Sequence, residues 1–263
     1  MKAKKWTPFP HDATAFRYAG PALVRAWPRL HRGDCEPLPT GKQRLELQDA
    51  WRAFHAGDLG AAIDRGTALG PEGAAVANKA AGVYATYLAA SNASAISVLE
   101  QAIRRAEAAI EAYPERANSH YFHAFVLGRY SQRISVVKAL AAGLGSKVQE
   151  SLVRALKIER KHADAHTALG VFHAEIVAKV GALLGRLTYG ASADAAVREF
   201  ESAVKLHPQS TIAKLEYARG LRVLYAGDKE EQVTKLLSAA TRCEPQDAME
   251  MLDVEAARQL LDG

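Results

Sequence analysis

Small and apolar positions recur along this chain in one order. Four sets carry it: Ala102, Ala106, Ala109 and Pro114; Val148, Leu152, Ala155 and Arg160; Ala196, Phe200, Ala203 and Pro208; Val233, Leu237, Ala240 and Pro245. The steps of four and three keep the first three members on one helical face, and the fourth member closes the helix. A new helical pattern opens a few residues after each of the first three stops, at Ala117, Ala163 and Thr211. The unit is therefore a helical hairpin, apolar on two sides, which buries those sides only by stacking on its neighbours. No stretch alternates with period two for long, so an all-α chain is expected.

The first forty residues differ. Pro8, Pro10, Pro21, Pro28, Pro37 and Pro39 confine any helix there to about 21–30, while Trp6, Phe9, Phe16, Tyr18 and Trp27 are too apolar for a free tail. A strap over residues 1–39, packed on the repeats, is expected. The repeat domain then spans 40–263, with hairpins at about 40–70, 74–113, 117–160, 163–207 and 211–244. Thr40 with Gln43 reads as a capping box ahead of the stripe Leu47, Ala50, Trp51 and Phe54. Asp58 reads as the cap of the next helix, which Gly70-Pro71 ends.

The run Ala163-Asp-Ala-His-Thr-Ala-Leu-Gly170 resembles the first helix of a tetratricopeptide repeat, and Phe200, Ala203 and Pro208 resemble its second. The fold class is accordingly a tetratricopeptide-like α-solenoid. Two middle repeats are elongated. A standard unit takes about 19 steps from its first position to the small residue of its second helix. Ala117 to Val148 takes 31 and Ala163 to Ala196 takes 33, whereas Thr211 to Val233 takes 22. The added segments, Ile134 to Ser146 and Ile176 to Ser192, are both apolar and Gly-rich with one Lys in corresponding places, Lys138 and Lys179. Continuation of the first helix would add roughly 18–21 Å to each hairpin. Ser146 with Gln149 then reads as a capping box at the restart. Such apolar helices either pack as core or wall a cavity or groove.

A narrower resemblance follows from Leu127-Gly-Arg-Tyr-Ser-Gln132, Lys138 to Gly145, Ala163 to Gly170 with Glu175, and Gly185-Arg-Leu-Thr-Tyr-Gly190 running on to Phe200 and Pro208. Over about 74–261 the chain resembles the regulator of microtubule dynamics proteins and the related T component of tripartite ATP-independent periplasmic transporters. The first seventy residues have no counterpart. The resemblance implies an all-helical array with a hydrophobic central channel, no catalysis, and binding of an apolar ligand or a protein partner. The transporter component is a periplasmic lipoprotein and several eukaryotic relatives carry a membrane anchor. This sequence shows no export signal, lipidation cysteine or anchor, so compartment and partner do not carry over.

Charge changes the picture in one respect. The formal net charge is +5, yet residues 1–44 alone hold nine Lys or Arg against three acids, a net of +6. The basic character belongs to the strap, not to a groove along the array, which argues against nucleic acid as partner. No apolar run reaches membrane-span length. Cys35 and Cys243 form no CxxC, so neither a disulfide framework nor a thiolate metal site is expected, and a cytoplasmic setting is.

Nucleophile motifs, phosphate-binding loops and cofactor signatures are absent from the sequence, and no cofactor is expected. Histidine is the remaining chemistry. His162 and His166 stand four apart and His173 lies near Glu175, which keeps a His-rich metal-binding protein or metal-dependent enzyme as an alternative. Against it, Ala163 opens the helix and leaves His162 in the turn, while His166 and His173 occupy packing positions. Glu175 is read as pairing Arg129 or Lys138, and Lys138 and Lys179 as snorkelling stems or holders of an acidic headgroup. The fifth repeat positions are Tyr121, Thr167 and Leu215, so the Lys and Asn carboxylate clamp of chaperone-binding repeats is missing.

A non-enzymatic binding protein is the expectation, in one of two forms. A scaffold would hold a protein segment on an aromatic concave surface of Tyr121, Phe122 and Phe125. A carrier would enclose a lipid-like ligand between elongated helices lined by Arg129, Lys138, Ala142, Glu175, Lys179, Leu183 and Tyr189.

Overall fold

The computed structural model describes residues 6–263, so the basic cluster Lys2, Lys4 and Lys5 lies outside the described residues. Among the described residues there are helices and no strand. The fold is an all-α, tetratricopeptide-like array of helical hairpins. It divides into two compact units.

The first unit comprises the described residues through Leu30, Pro37–Ser135 and Gln246–Met249. It holds α1 (Ala22–Leu30), α2 (Arg44–His55), α3 (Leu59–Ala68), α4 (Ala74–Val83), α5 (Asn92–Ala112) and α6 (Ala117–Ser131). Helix α2 buries Leu47, Ala50, Trp51 and Phe54, the expected stripe, against α3 and α4. Asp58 caps α3, its carboxylate accepting the Ala61 N–H at 3.0 Å. The box proposed at Thr40 and Gln43 does not form. Gly41 turns the chain at φ 79°, and Gln43 stands at the cap position without a side-chain bond.

The strap packs within this unit by its aromatic residues. Trp27 meets Trp51 edge-on at 5.8 Å, and Trp6 meets Tyr84 at 4.9 Å while its indole N–H donates to Asp64 at 3.2 Å. Helix α4 ends in a π turn at Tyr84–Leu88, closed by the Ala89 N–H on the Tyr84 carbonyl at 2.9 Å. A wide turn leaves carbonyls without their usual helical donor, and the Arg133 guanidinium supplies one, donating to Ala85 O at 2.6 Å.

The second unit comprises His31–Glu36, Val136–Pro245 and Glu250–Gly263. It holds α7 (Val136–Ala141), α8 (Leu144–Ile158), α9 (Ala163–Val180), α10 (Ala182–Tyr189), α11 (Ala193–Leu206), α12 (Thr211–Tyr225), α13 (Glu230–Thr241) and all but the first two residues of α14 (Ala248–Asp262). The two helices expected to form the 117–160 hairpin, α6 and α8, thus belong to different units.

Here the repeat pattern reads directly into packing. α9 pairs with α11, and α12 with α13. The Phe200 ring of α11 fits between Gly170 on α9 and Gly220 on α12, and stacks on Tyr217 at 5.1 Å. Around it Leu215, Leu221, Val233, Leu237, Ala240 and Ala257 close one core, each large side chain contributing about 1.5–3 kcal/mol by its burial. The segment His31–Glu36 is held at the entrance of α9, where the Asp164 N–H donates to Gly33 O at 3.0 Å.

Candidate functional site: the two inserted segments and the face of α6

The inserted residues are not prolongations of the helices before them in the way the spacing suggested. α6 stops at Ser131, and α7 is a separate short helix with no buried residue. Gly143, left-handed at φ 62°, reverses the chain and starts α8 at Leu144, ahead of the expected cap. Ser146 is therefore inside the helix and makes no cap, and Gln149 Nε2 instead donates to the Tyr189 carbonyl at 2.7 Å. α9 does run on, to Val180, before Gly181 at φ 91° turns the chain into α10. α10 rests on α9 along one line, with Gly185 buried against Ile176, and ends at left-handed Gly190, where the Ala191 N–H donates to Gly185 O at 3.1 Å.

Both segments lean on the beginning of α8. α7 packs on it directly, and the Tyr189 ring lies about 3.0 Å from where a Cβ on Gly145 would stand. Their apolar side chains face solvent: Val137 and Leu187 are 75% exposed and Leu183 72%, with Val136, Leu140 and Leu184 also exposed. Of the residues proposed from sequence to line a channel, Lys138, Ala142, Lys179 and Leu183 are exposed, and Tyr189 is half-buried, edge-on to Phe172 at 6.0 Å. Glu175 bonds Lys179 one turn on in its own helix at 3.0 Å, so Lys179 is not a lone stem. Sequence reasoning passed over Val137, Leu187, Lys147 and Arg186. Their signal was the absence of any Asp or Glu from either insert.

The aromatic residues of α6 form one cluster of rings. Tyr121, Phe125 and Arg129 lie one turn apart: Tyr121 stacks on Phe125 at 6.0 Å and the Arg129 guanidinium sits over the Phe125 ring at 5.6 Å. Phe125 is half-buried because it fills the space left by Gly82 on α4. Tyr121 at 7% and Phe122 at 1% exposed are both core residues, their rings 4.8 Å apart, so the aromatic surface expected from sequence reduces to Phe125.

Each candidate histidine has a structural task. His162 is the N-cap of α9, its Nδ1 accepting the Ala165 N–H at 3.0 Å. His166 faces Glu199 Oε2 at 2.6 Å and Arg160 O at 3.1 Å through its two nitrogens. Burial of that ring lowers its pKa, but the hydrogen bond and charge of Glu199 with the Arg160 carbonyl outweigh it, and the net shift is upward. His173 is buried beside Phe172, and desolvation lowers its pKa. Among the described residues no group of three or more His, Cys, Asp or Glu is placed to hold a metal ion. No described helix is long and apolar enough to cross a membrane.

The hairpins, the glycine-to-phenylalanine contacts and the capped helices define a helical-repeat protein of tetratricopeptide type. The family model described as "Regulator of microtubule dynamics protein 1-3" matches residues 74–262, and the chain belongs to that family. Among solved structures it is similar to the MamA protein, at 15% identity over 76% of this chain and 90% of that one with a TM-score of 0.42. It is also similar to YrrB, described as a tetratricopeptide protein with an unusual peptide-binding site, at 15% identity over 94% and 99% with a TM-score of 0.38. No curated protein sequence matches.

Proposed function

We propose that this protein acts by binding, without catalysis, as a helical-repeat scaffold that holds a protein segment along α6 of its first unit. The observation that carries this reading is the part-exposed pair Phe125 and Arg129, the guanidinium over the ring, with the buried Tyr121 stacked on that same ring. Spacing by four residues gives an extended or helical partner two contacts about 6 Å apart, one apolar and one cationic. The family description, a regulator of microtubule dynamics, supports a protein as the partner. The carrier alternative requires Ala142 and Leu183 to enclose a ligand, and their exposure favours the scaffold. A cytoplasmic setting fits the two unpaired cysteines.

A photo-crosslinking residue at position 129 tests the reading in cells that make the full chain, with a second probe at exposed Glu107 on α5 as the reference. Discrete adducts from position 129, absent at 107 and reduced by Phe125→Ala, are expected. Identical adduct patterns from both positions would remove the α6 pair as the binding face.

A further inference from the structure

The two inserts expose apolar side chains that the scaffold reading does not use. Large aliphatic residues at solvent are ordinary when scattered singly, but a cluster marks a contact surface. Here six of them, Val136, Val137, Leu140, Leu183, Leu184 and Leu187, sit on two short helices that each pack on α8. On α10 every residue from Ala182 to Thr188 is exposed except Gly185.

Within the two segments the charge has one sign, with the exposed Glu150 and the half-buried Glu175 the acids that flank them. From Ser135 to Lys147 and from Ile176 to Ser192 the ionisable residues of clear charge are Lys138, Lys147, Lys179 and Arg186, with no Asp or Glu. Lys147 and Arg186 are exposed beside the aliphatic positions. Glu175, just outside the second segment, bonds Lys179.

A protein segment is best held by a groove that surrounds it. α10 packs on α9 through Gly185 and on α8 through Tyr189, and the rest of its length is exposed. A flat, deformable, apolar phase with an anionic rim matches the arrangement: the aliphatic tips enter the acyl boundary while Lys and Arg stems keep their charges at headgroup level. Gly143 after α7 and Gly181 and Gly190 on either side of α10, all at positive φ, let these short helices be presented out of line with the hairpins that carry them.

We propose that α7 and α10 form a docking surface for an anionic lipid bilayer, inserting Val137, Leu183 and Leu187 at the interface with Lys147 and Arg186 on the headgroups. The binding is peripheral and reversible, since the segments are short and carry few apolar side chains. It goes beyond the scaffold reading and stands or falls independently of it.

Co-sedimentation of the full chain with vesicles tests this, using phosphatidylcholine alone and phosphatidylcholine with about 30% phosphatidylserine at about 0.15 M salt. The wild type is expected on the anionic vesicles with at least a fivefold excess over the neutral ones. Leu183→Asp with Leu187→Asp should lower that binding about tenfold while circular dichroism and melting temperature stay unchanged, because both side chains are already at solvent. Lys147→Glu with Arg186→Glu should lower it to a similar degree. A Leu187→Trp variant should show a blue-shifted emission on anionic vesicles only. No pelleting of the wild type would overturn the proposal. So would undiminished pelleting of the Asp double variant, which would assign binding to the basic residues near the N terminus. A wild-type dimer in light scattering that Leu183→Asp dissolves would assign the face to self-association instead.

Discussion

Gly170 and Phe200 meet so closely that a Cβ on the glycine would stand 2.8 Å from the phenylalanine ring. That distance is inside normal carbon contact, and the ring is held from its other side by Gly220. Gly170→Ala is therefore expected to cost about 1–3 kcal/mol, as overpacking of a filled core does, despite the better helix propensity of Ala. Gly128, mid-helix in α6 with nothing within 4 Å of its Cβ position, is the internal control. Gly128→Ala should stabilise by about 0.5–1 kcal/mol. Urea unfolding of the two variants checks both signs at once; a neutral Gly170→Ala would show the α9–α11 contact to be looser than described.

His166 and His173, on one helix, should respond oppositely to pH. The pKa of His166 is raised above its ordinary 6.5 in the folded chain, so its contribution to stability is complete below that value and is lost as pH rises through the folded pKa. The pKa of His173 is lowered, so folding is penalised as pH falls from 6.5 through its folded value. Histidine NMR titration should place the two midpoints on opposite sides of 6.5. Glu199→Gln should bring the His166 midpoint down through loss of both hydrogen bond and charge, and lower that of His173 further, since the Glu199 charge also raises it.

Cys35 should be a sluggish thiol. Burial first, then the charges of Glu159, Asp34 and Asp164, push its pKa from 9.0 to about 12, partly offset by Lys161. The thiolate fraction near neutrality is then about a thousandfold below that of a free cysteine, and alkylation of the native chain should slow accordingly. Peptide mass spectrometry after timed iodoacetamide treatment measures it, with the denatured chain as reference. Labelling of Cys35 at the denatured rate would show that the segment His31–Glu36 opens readily.

His162 should matter to stability and to nothing that needs a metal. Its Nδ1 holds the first turn of α9, and the side chain has no exposed surface. His162→Ala removes both the cap and the packing, for an expected loss of about 2 kcal/mol or more, whereas His162→Asn keeps a capping oxygen and should lose less. Thermal melts of the two variants, with and without added zinc, should show that order and no dependence on the metal.

What the sequence disclosed and what it withheld have separable causes. The stripes Leu47, Ala50, Trp51, Phe54 and Ala196, Phe200, Ala203 were legible because helical spacing and burial are one signal. The cap at Asp58 was legible because a short acceptor before an apolar run has few other uses, and the start of α9 at Ala163 because the repeat pattern recurs there, although the capping role of His162 was missed. Glycine carries no such single meaning. Gly143 and Gly181 sit at positive φ and break the chain, Gly185 is a close contact, and letters alone do not distinguish these roles. The inserts therefore read as longer helices when they are short helices set off by turns. Apolar residues at helical spacing also read alike whether they face a core, a cavity or solvent, which is why Leu183 was assigned to a wall and Leu187 was passed over. Tyr121, Phe122 and Phe125 were picked out together by type, but only packing showed that Tyr121 and Phe122 belong to the interior and that Phe125 is half-buried.

The turn at Gly143 and the pair Gly181 and Gly190 have one last consequence. Because α7 buries no side chain and α10 buries only Gly185, the interior draws almost nothing from either. Either helix should therefore be exchangeable for another short one, for α10 one that keeps Gly185 and Tyr189, with little change in melting temperature while the hairpins that display it keep the same heart.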